Sequence, residues 1–305
     1  MFTNSKTNTQ PVESLSNLRD RVDRFFRVSL NGSQKRGKFS HALPLTSTIA
    51  SSRASEMRVA DFINFLTDAL PNGEVYLFGG ILRDLALLGR KGFSSDIDLV
   101  VEGEWSHCIG YLNSLGAKQN KFGGYRLEVD GWPIDIWNAA ETWAVRQGYV
   151  RYKGIASLTE TVILNWDAIL MNWKTRAFIY RPGYFDTLRA RRLDVVFEQN
   201  PNPIGMAVRV FRHLCVKDAR SIGVGAAEYL SACTGKYSFE LLTRHELRSY
   251  GASMIDPAIY ELFDRFRKFE SLDIRSRFDA AAESLRREGV TPSTSQLGWS
   301  FDAAE

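Results

Sequence analysis

The order of the apolar patterns along the chain restricts the fold more than any other feature of the sequence. From Val59 to about residue 200, short β-prone runs alternate with segments of helical period, whereas beyond the segment Asn200–Pro203 only the helical period remains. This order predicts an α/β (α+β) first domain, with a short mixed sheet flanked by helices, followed by an all-helical domain. We place these domains at residues 56–200 and 201–288, with a flexible extension at 1–55 and a flexible tail at 289–305.

The spacing of apolar residues also predicts the individual elements. In the first domain the predicted strands are Val75–Phe78, Ile97–Val101, and a hairpin of Tyr125–Val129 with Trp132–Trp137 around Asp130–Gly131. In the second domain the predicted helices are Ile204–Val216, Phe239–Tyr250, Pro257–Phe269 and Ile274–Arg287. Within the extension, only the segment from Leu18 to Val28 has an amphipathic pattern.

Bulk composition excludes several classes of protein. The three cysteines of the 305-residue chain show no CxxC spacing, which argues against a disulfide framework and against a thiolate zinc site. A net charge of +4 permits binding to nucleic acid or to nucleotides without requiring it. No stretch approaches the roughly twenty apolar residues of a membrane span. We therefore expect a cytoplasmic protein with no membrane partner.

Three aspartates carry the chemistry that the sequence suggests. Asp96 and Asp98 occupy alternate positions at the start of a strand, so their carboxylates project from one face. Asp135 lies between Ile134 and Ile136, which places it on the face opposite those two apolar side chains. If the two strands are neighbours, the three carboxylates converge and favour a divalent cation such as Mg²⁺, with Asp135 as the candidate proton acceptor.

Gly79 and Gly80, between a strand and a helix, would let the backbone approach a phosphate closely, and Arg83 lies one turn into that helix. A Gly-Gly turn alone is more often only a turn, and an isolated pair of aspartates is commonly a solvated strand end. Arg209 and Arg212 lie one turn apart on a predicted helix. They could contact a base or a triphosphate, or simply form a solvated helical face.

Two segments in combination resemble a known family: Leu77–Asp84, which reads LFGGILRD, and Ser95–Val101, which reads SDIDLVV. They are similar to the head of the class II tRNA CCA-adding enzymes and bacterial poly(A) polymerases, within the DNA polymerase β superfamily. The resemblance implies a nucleotidyltransferase domain that uses Mg²⁺, or Mn²⁺ in its place, and an NTP substrate. It implies metal binding and catalysis by Asp96, Asp98 and Asp135, and nucleotide binding by Gly79, Gly80, Arg83 and Asp84.

The resemblance continues more loosely along the chain. Leu164–Asn172 is similar to the family's RRDFTINA motif without its two arginines. It implies that Asp167 contacts the ribose of the nucleotide and that Asn172 also contacts the nucleotide, with Asn172 one place out of register with the motif's asparagine. The acidic base-reading motif EDxxR has no counterpart, so the choice of NTP does not carry over from the family.

Together these features predict transfer of a nucleoside monophosphate from an NTP to an acceptor hydroxyl, with release of pyrophosphate. The family points to the 3′ end of a tRNA-like RNA as the acceptor. One alternative keeps the chemistry and changes the acceptor to a protein, a small molecule or another nucleotide. Another is a non-catalytic nucleotide- or RNA-binding module, which the presence of all three carboxylates disfavours.

Overall fold

The computed structural model describes residues 10–27, 57–217 and 219–290. These residues divide into two compact units. The first contains the described residues up to 162 together with 166–185, and the second contains 163–165 and those from 186 onward. The change of unit therefore comes earlier than the predicted boundary at 200, because the segment before Asn200 pairs with parts of the second unit.

A seven-stranded mixed sheet is the centre of the first unit. Its strands are β1 (Glu74–Phe78), β2 (Ile97–Glu102), β3 (Lys118–Gln119), β4 (Tyr125–Val129), β5 (Trp132–Asn138), β6 (Ile169–Asn172) and β7 (Phe178–Tyr180), in the order β3-β4-β5-β2-β1-β6-β7. Only β2 and β5 pair in parallel; the other neighbours are antiparallel. The predicted mixed sheet is confirmed.

Alternation along the central strands gives the sheet two different faces. Leu77, Leu99 and Ile136 are fully buried on one face, against which the helices α2 (Val59–Asp68), α3 (Gly80–Leu88) and α4 (Trp105–Ser114) pack. The other face carries an apolar cluster that includes Tyr76, Phe78 and Val100 and is covered by Ile155 and Leu158.

A helix before this sheet departs from the sequence-based expectation. Helix α1 (Leu15–Arg27) buries Leu18, Val22, Phe25 and Phe26 and packs on α2 and α3. Arg21 also donates hydrogen bonds to the carbonyl oxygens of Leu85 and Ala86, at 3.0 and 2.9 Å. The amphipathic segment is therefore docked on the first unit rather than part of a flexible extension. Residues 1–9 and 28–56 of that expected extension lie outside the described residues.

The second unit is mainly helical. Its long helices are α7 (Pro203–Val216), α8 (Val224–Lys236), α9 (Phe239–Tyr250), α10 (Pro257–Lys268) and α11 (Ile274–Arg287), which follow the short helices α5 (Trp143–Arg146) and α6 (Tyr184–Arg189) in the chain. Four of the five match predicted helices. A two-stranded parallel ribbon, β8 (Arg192–Leu193) with β9 (Ser221–Ile222), was not predicted.

In the part of the chain that the structure describes, no helix combines the length and apolar character needed to cross a bilayer. Of the expected tail at 289–305, residues 291–305 lie outside the described part.

Candidate active site

The register of the sheet brings the three predicted carboxylates onto one face. Asp98 on β2 and Asp135 on β5 are direct partners in the parallel pair. Asp96 precedes β2 by one residue and therefore lies on the same side of the strand as Asp98. The strands that carry the aspartates are thus neighbours, as the predicted convergence requires.

A cation of the protein itself contacts two of these aspartates. Arg126 on β4 is the register partner of Asp135. Its Nη2 lies 2.7 Å from Oδ2 of Asp96, and its Nη1 lies 3.2 Å from Oδ2 of Asp135. Within the described residues, no group of three or more His, Cys, Asp or Glu side chains is arranged to hold a metal ion. The guanidinium bridges Asp96, which precedes β2, and Asp135 on β5.

The donor chemistry of this site fits a divalent metal ion. Hard cations such as Mg²⁺ take oxygen ligands, and Asp96, Asp98 and Asp135 supply only carboxylate oxygens. The contact of Arg126 with two of these carboxylates also favours a cation site, because it shows that their oxygens attract a positive charge. Binding of a metal by all three would require the guanidinium to move away.

Asp135 has the most perturbed acidity of the three. Burial raises the pKa of its carboxyl group to about 6, with Arg126 acting to lower the pKa and Asp96 to raise it. Its side chain is only 24% exposed. A carboxylate with a pKa near neutrality can accept a proton and release it again under ordinary conditions, which suits the predicted role of proton acceptor.

The carboxylates lie at the polar end of an otherwise apolar sheet face. Phe78, the register partner of Asp98, makes an edge-to-face contact with Trp137 at a centroid distance of 5.3 Å. Trp137 lies two residues beyond Asp135 on the same side of β5. Phe78 and Trp137 thus form part of an apolar surface on the same sheet face as Asp98 and Asp135.

The two glycines are required by the packing of the turn between β1 and α3. Gly79 has a φ of 58°, and a Cβ there would lie 3.4 Å from the carbonyl oxygen of Asp167. A Cβ on Gly80 would approach the side chain of Ser95 to 3.1 Å. The glycines thus let the turn approach the residues before β2 closely. Their contact with a phosphate stays a prediction.

Arg83 lies inside the first unit, with 5% of its side chain exposed. Its Nε donates to Asp84, its Nη1 to Asp167, and its Nη2 to Oγ of Ser95. Burial acts to lower the pKa of Arg83, but the charges of Asp167 and Asp84 outweigh it and raise the pKa. The guanidinium of Arg83 is therefore enclosed by protein groups, and its contact with a triphosphate stays a prediction.

Asp84 extends this network to the start of β2. One of its carboxylate oxygens accepts hydrogen bonds from the backbone N–H of Ser94 at 3.1 Å and from Oγ of Ser95 at 2.9 Å. Ser95 directly precedes Asp96. The buried network of Arg83, Asp84 and Asp167 thus positions the segment that leads into the candidate site.

Two more predicted nucleotide contacts are used within the protein. The side-chain oxygen of Asn172 accepts hydrogen bonds from the N–H groups of Lys174 and Thr175, which stabilises the turn between β6 and β7. In the second unit, Arg212 forms an ion pair with Glu246, which is fully buried. Arg209, on the same helix, is exposed. The structure does not bring Asn172 to the three carboxylates, since it lies toward the opposite end of the sheet face.

Arg126 is the residue of this site that the sequence analysis missed. The signal was present, because a two-residue turn at Asp130–Gly131 fixes the register of the hairpin. Counting outward from that turn pairs Val129 with Trp132 and Arg126 with Asp135, as the structure has it.

The first unit combines a mixed sheet with acidic residues at the start of its central strand β2. Among solved structures, the chain is similar to a CCA-adding enzyme in complex with ATP, with 20% identity and a TM-score of 0.46 over 71% of this chain and 52% of that chain. It is also similar to the Thermotoga maritima CCA-adding enzyme complexed with tRNA, with 17% identity and a TM-score of 0.45 over 78% and 68% of the two chains.

A tRNA nucleotidyltransferase complexed with a primer tRNA and an incoming ATP analog matches with 14% identity and a TM-score of 0.44, over 75% of this chain and 60% of that chain. The chain spans about half the length of the first of these structures. No family model matches the chain, and no curated protein matches it. The predicted resemblance to CCA-adding enzymes is confirmed as a resemblance between folds at low identity.

Proposed function

We propose that this protein is a metal-dependent nucleotidyltransferase that moves a nucleoside monophosphate from an NTP to an acceptor hydroxyl and releases pyrophosphate. The observation that carries the proposal is the direct pairing of Asp98 with Asp135 on adjacent strands, with Asp96 beside them on the same face. Three acidic side chains lie on one sheet face, at one end of an apolar surface. They suit a reaction in which phosphate charge must be neutralised.

Asp96, Asp98 and Asp135 would hold Mg²⁺, or Mn²⁺ in its place, through their carboxylate oxygens. When bound, the metal neutralises charge on the triphosphate and lowers the pKa of the attacking hydroxyl. In the reaction, the acceptor oxygen forms a bond to the α-phosphorus, and the bond between that phosphorus and the oxygen of the departing pyrophosphate breaks. The proton of the hydroxyl passes to Asp135, whose pKa of about 6 leaves it ionised at neutral pH.

The surrounding residues contribute by positioning. Gly80 lets the β1–α3 turn lie close to Ser95, which precedes Asp96, and Arg83 with Asp84 fixes that segment from inside the protein. Fixed carboxylates avoid reorganisation during the reaction, which is a large part of catalysis by preorganised charge.

We further propose the 3′ end of a tRNA-like RNA as the acceptor. The support is the combination of LFGGILRD and SDIDLVV, which resembles the head of the CCA-adding enzymes. The CCA-adding structure from Thermotoga maritima is complexed with tRNA, and we extend that partner to this chain as a proposal.

The proposal is tested by incubating the purified protein with each α-labelled NTP, Mg²⁺ or Mn²⁺, and total RNA including tRNA. We expect label in RNA. Label in protein or in a small soluble product would keep the chemistry and change the acceptor, whereas nucleotide binding without transfer would indicate a non-catalytic module.

Two variants and a control connect the activity to the site. Asp98→Asn and Asp135→Asn should each lower transfer about a hundredfold or more, because each removes a metal ligand and leaves the strand intact. Asp68→Asn removes an exposed carboxylate at the end of α2 and should leave transfer unchanged. Transfer that survives in Asp98→Asn at the wild-type rate would refute the assignment.

A further inference from the structure

The hairpin strand β4 brings a positive charge onto the acidic face of the sheet. Arg126 contacts Asp96 at 2.7 Å and Asp135 at 3.2 Å, and it is linked to two different strands in this way. Its charge also interacts with Asp98. Arg126 is therefore the counter-ion of the candidate site in the absence of a bound cation.

The position needs such a counter-ion. Like charges directly opposite each other on adjacent strands are destabilising, and Asp98 and Asp135 are direct partners. Arg126 offsets this repulsion in the metal-free protein, because it forms hydrogen bonds to Asp96 and Asp135 and its charge also interacts with Asp98. The same contacts occupy carboxylate oxygens that a metal ion would use.

The contacts of Arg126 are also easily exchanged. Its side chain is 49% exposed, and that of Asp96 is 44% exposed. Ion pairs with this exposure contribute little stability, because water screens them and the long side chain loses entropy. A divalent cation attracts the same oxygens with twice the charge, so it can displace the guanidinium.

We propose that Arg126 is an internal competitor of the divalent cation: it holds Asp96 and Asp135 in the metal-free protein, and metal binding displaces it. This inference rests on the proposed metal site. It goes beyond that site because it assigns control of the apparent metal affinity to Arg126 on β4. The alternative is an ordinary surface ion pair without any link to metal binding.

The test is a titration of the metal-free full-length protein with Mn²⁺, in which free Mn²⁺ is measured by electron paramagnetic resonance without any NTP. Arg126→Gln should bind Mn²⁺ more tightly than the wild type by about three- to tenfold, the range given by one or two exposed ion pairs. The difference should shrink when salt rises from about 0.05 M to about 0.5 M, because screening weakens the competing pair.

Lys118→Gln is the matched control. Lys118 is the register partner of Arg126 on the edge strand β3, and its side chain is exposed. Removing it deletes the same charge from the neighbouring strand without removing the bridge. The Mn²⁺ affinity of Lys118→Gln should change less than twofold, because a screened charge at that distance acts only weakly on the site. An equal tightening in Lys118→Gln and Arg126→Gln would overturn the proposal, since the effect would then come from net charge alone.

Two further results separate this proposal from the metal site on which it rests. If Asp98→Asn and Asp135→Asn bind Mn²⁺ as tightly as the wild type, the metal site itself is wrong. If both variants lose the binding but Arg126→Gln binds with wild-type affinity or more weakly, the competition is wrong and the metal site stands.

Thermal unfolding gives a second readout that does not depend on activity. Metal-free Arg126→Gln should unfold at a lower temperature than the wild type, because the carboxylates lose their counter-ion. Added Mn²⁺ should then raise its unfolding temperature more than it raises that of the wild type, by the linkage between ligand binding and stability. An equal or smaller rise would contradict displacement of Arg126 by the metal.

Discussion

Asp135 is the residue at which stability and the proposed function oppose each other. Burial raises the pKa of its carboxyl group to about 6, so at neutral pH the protein holds a charge that its surroundings partly disfavour. Arg126 offsets only part of that cost, and the proposed metal offsets it only when it is bound. Catalytic groups are often kept at the expense of stability, and Asp135 has the features of such a group.

We predict that Asp135→Asn raises the free energy of unfolding of the metal-free protein at pH 8 by about 1–2 kcal/mol. This value is the free-energy equivalent of the raised pKa of Asp135, reduced because the contact with Arg126 is weakened. The folded-state pKa is about 6, above the ordinary value of 3.8. The cost of the charge is therefore fully present above about pH 6 and is lost as the pH falls toward 4. Urea unfolding of both proteins at pH 8 and pH 4.5 measures the difference.

The gain from Asp135→Asn should accordingly be smaller at pH 4.5 than at pH 8. A variant that is less stable than the wild type at pH 8, or that gains more in acid, would show that burial does not penalise the ionised form of Asp135.

Alternation along the strands predicted the sheet face on which the aspartates lie, whereas it did not predict the contacts of their neighbours. Alternation along a strand is a local pattern, so it placed Asp98 and Asp135 on the face opposite their apolar neighbours. The buried network of Arg83 joins residues far apart in the chain, since Asp167 lies 84 positions away. No local pattern encodes that contact, which is why Arg83 was assigned to a ligand rather than to the interior.

At the scale of elements, the first unit depends on how the start of α3 is fixed to the start of β2. Arg83 on α3 joins Asp84, Asp167 and Ser95, and nearly the whole of its side chain is removed from water. Buried ion pairs contribute little net stability, but removing one partner leaves a buried charge without compensation. The network therefore imposes a geometry more than it adds stability.

We predict that Arg83→Met destabilises the protein by about 3–5 kcal/mol, because two buried carboxylates lose their counter-ion. The triple variant Arg83→Met with Asp84→Asn and Asp167→Asn should recover part of that loss, since it removes the uncompensated charges as well. Denaturant unfolding of the single and triple variants gives both numbers. A loss below about 1 kcal/mol in Arg83→Met would show that the network is not important for the fold.

Elements with a strong period were predicted correctly, and those held by tertiary contacts were not. Helix α8 was missed because Val224–Lys236 is rich in small residues and has little contrast between its faces. The short helix α6 was also not predicted; its first residue, Tyr184, is buried and donates a hydrogen bond to the carbonyl oxygen of Trp166. Burial rather than propensity decides such short segments.

At the scale of the whole chain, the succession of patterns predicted a sheet-containing unit followed by a helical one, and the two units have that character. The boundary was misplaced because it depends on pairing between distant residues. Leu164 bridges to Val195, and Asn165 exchanges hydrogen bonds with Asp194. The prolines at 201 and 203 mark the start of α7, not the start of the unit.

The proposed function requires that one divalent cation can be held by carboxylates from both β2 and β5. The most direct measurement is X-ray diffraction from crystals of the full-length protein grown with Mn²⁺ and a non-hydrolysable NTP analogue, with data collected for the anomalous signal of manganese. We expect an anomalous peak within coordination distance of Asp98 and Asp135, with Arg126 withdrawn from both Asp96 and Asp135. Ordered analogue without such a peak, or manganese found only elsewhere on the protein, would contradict it.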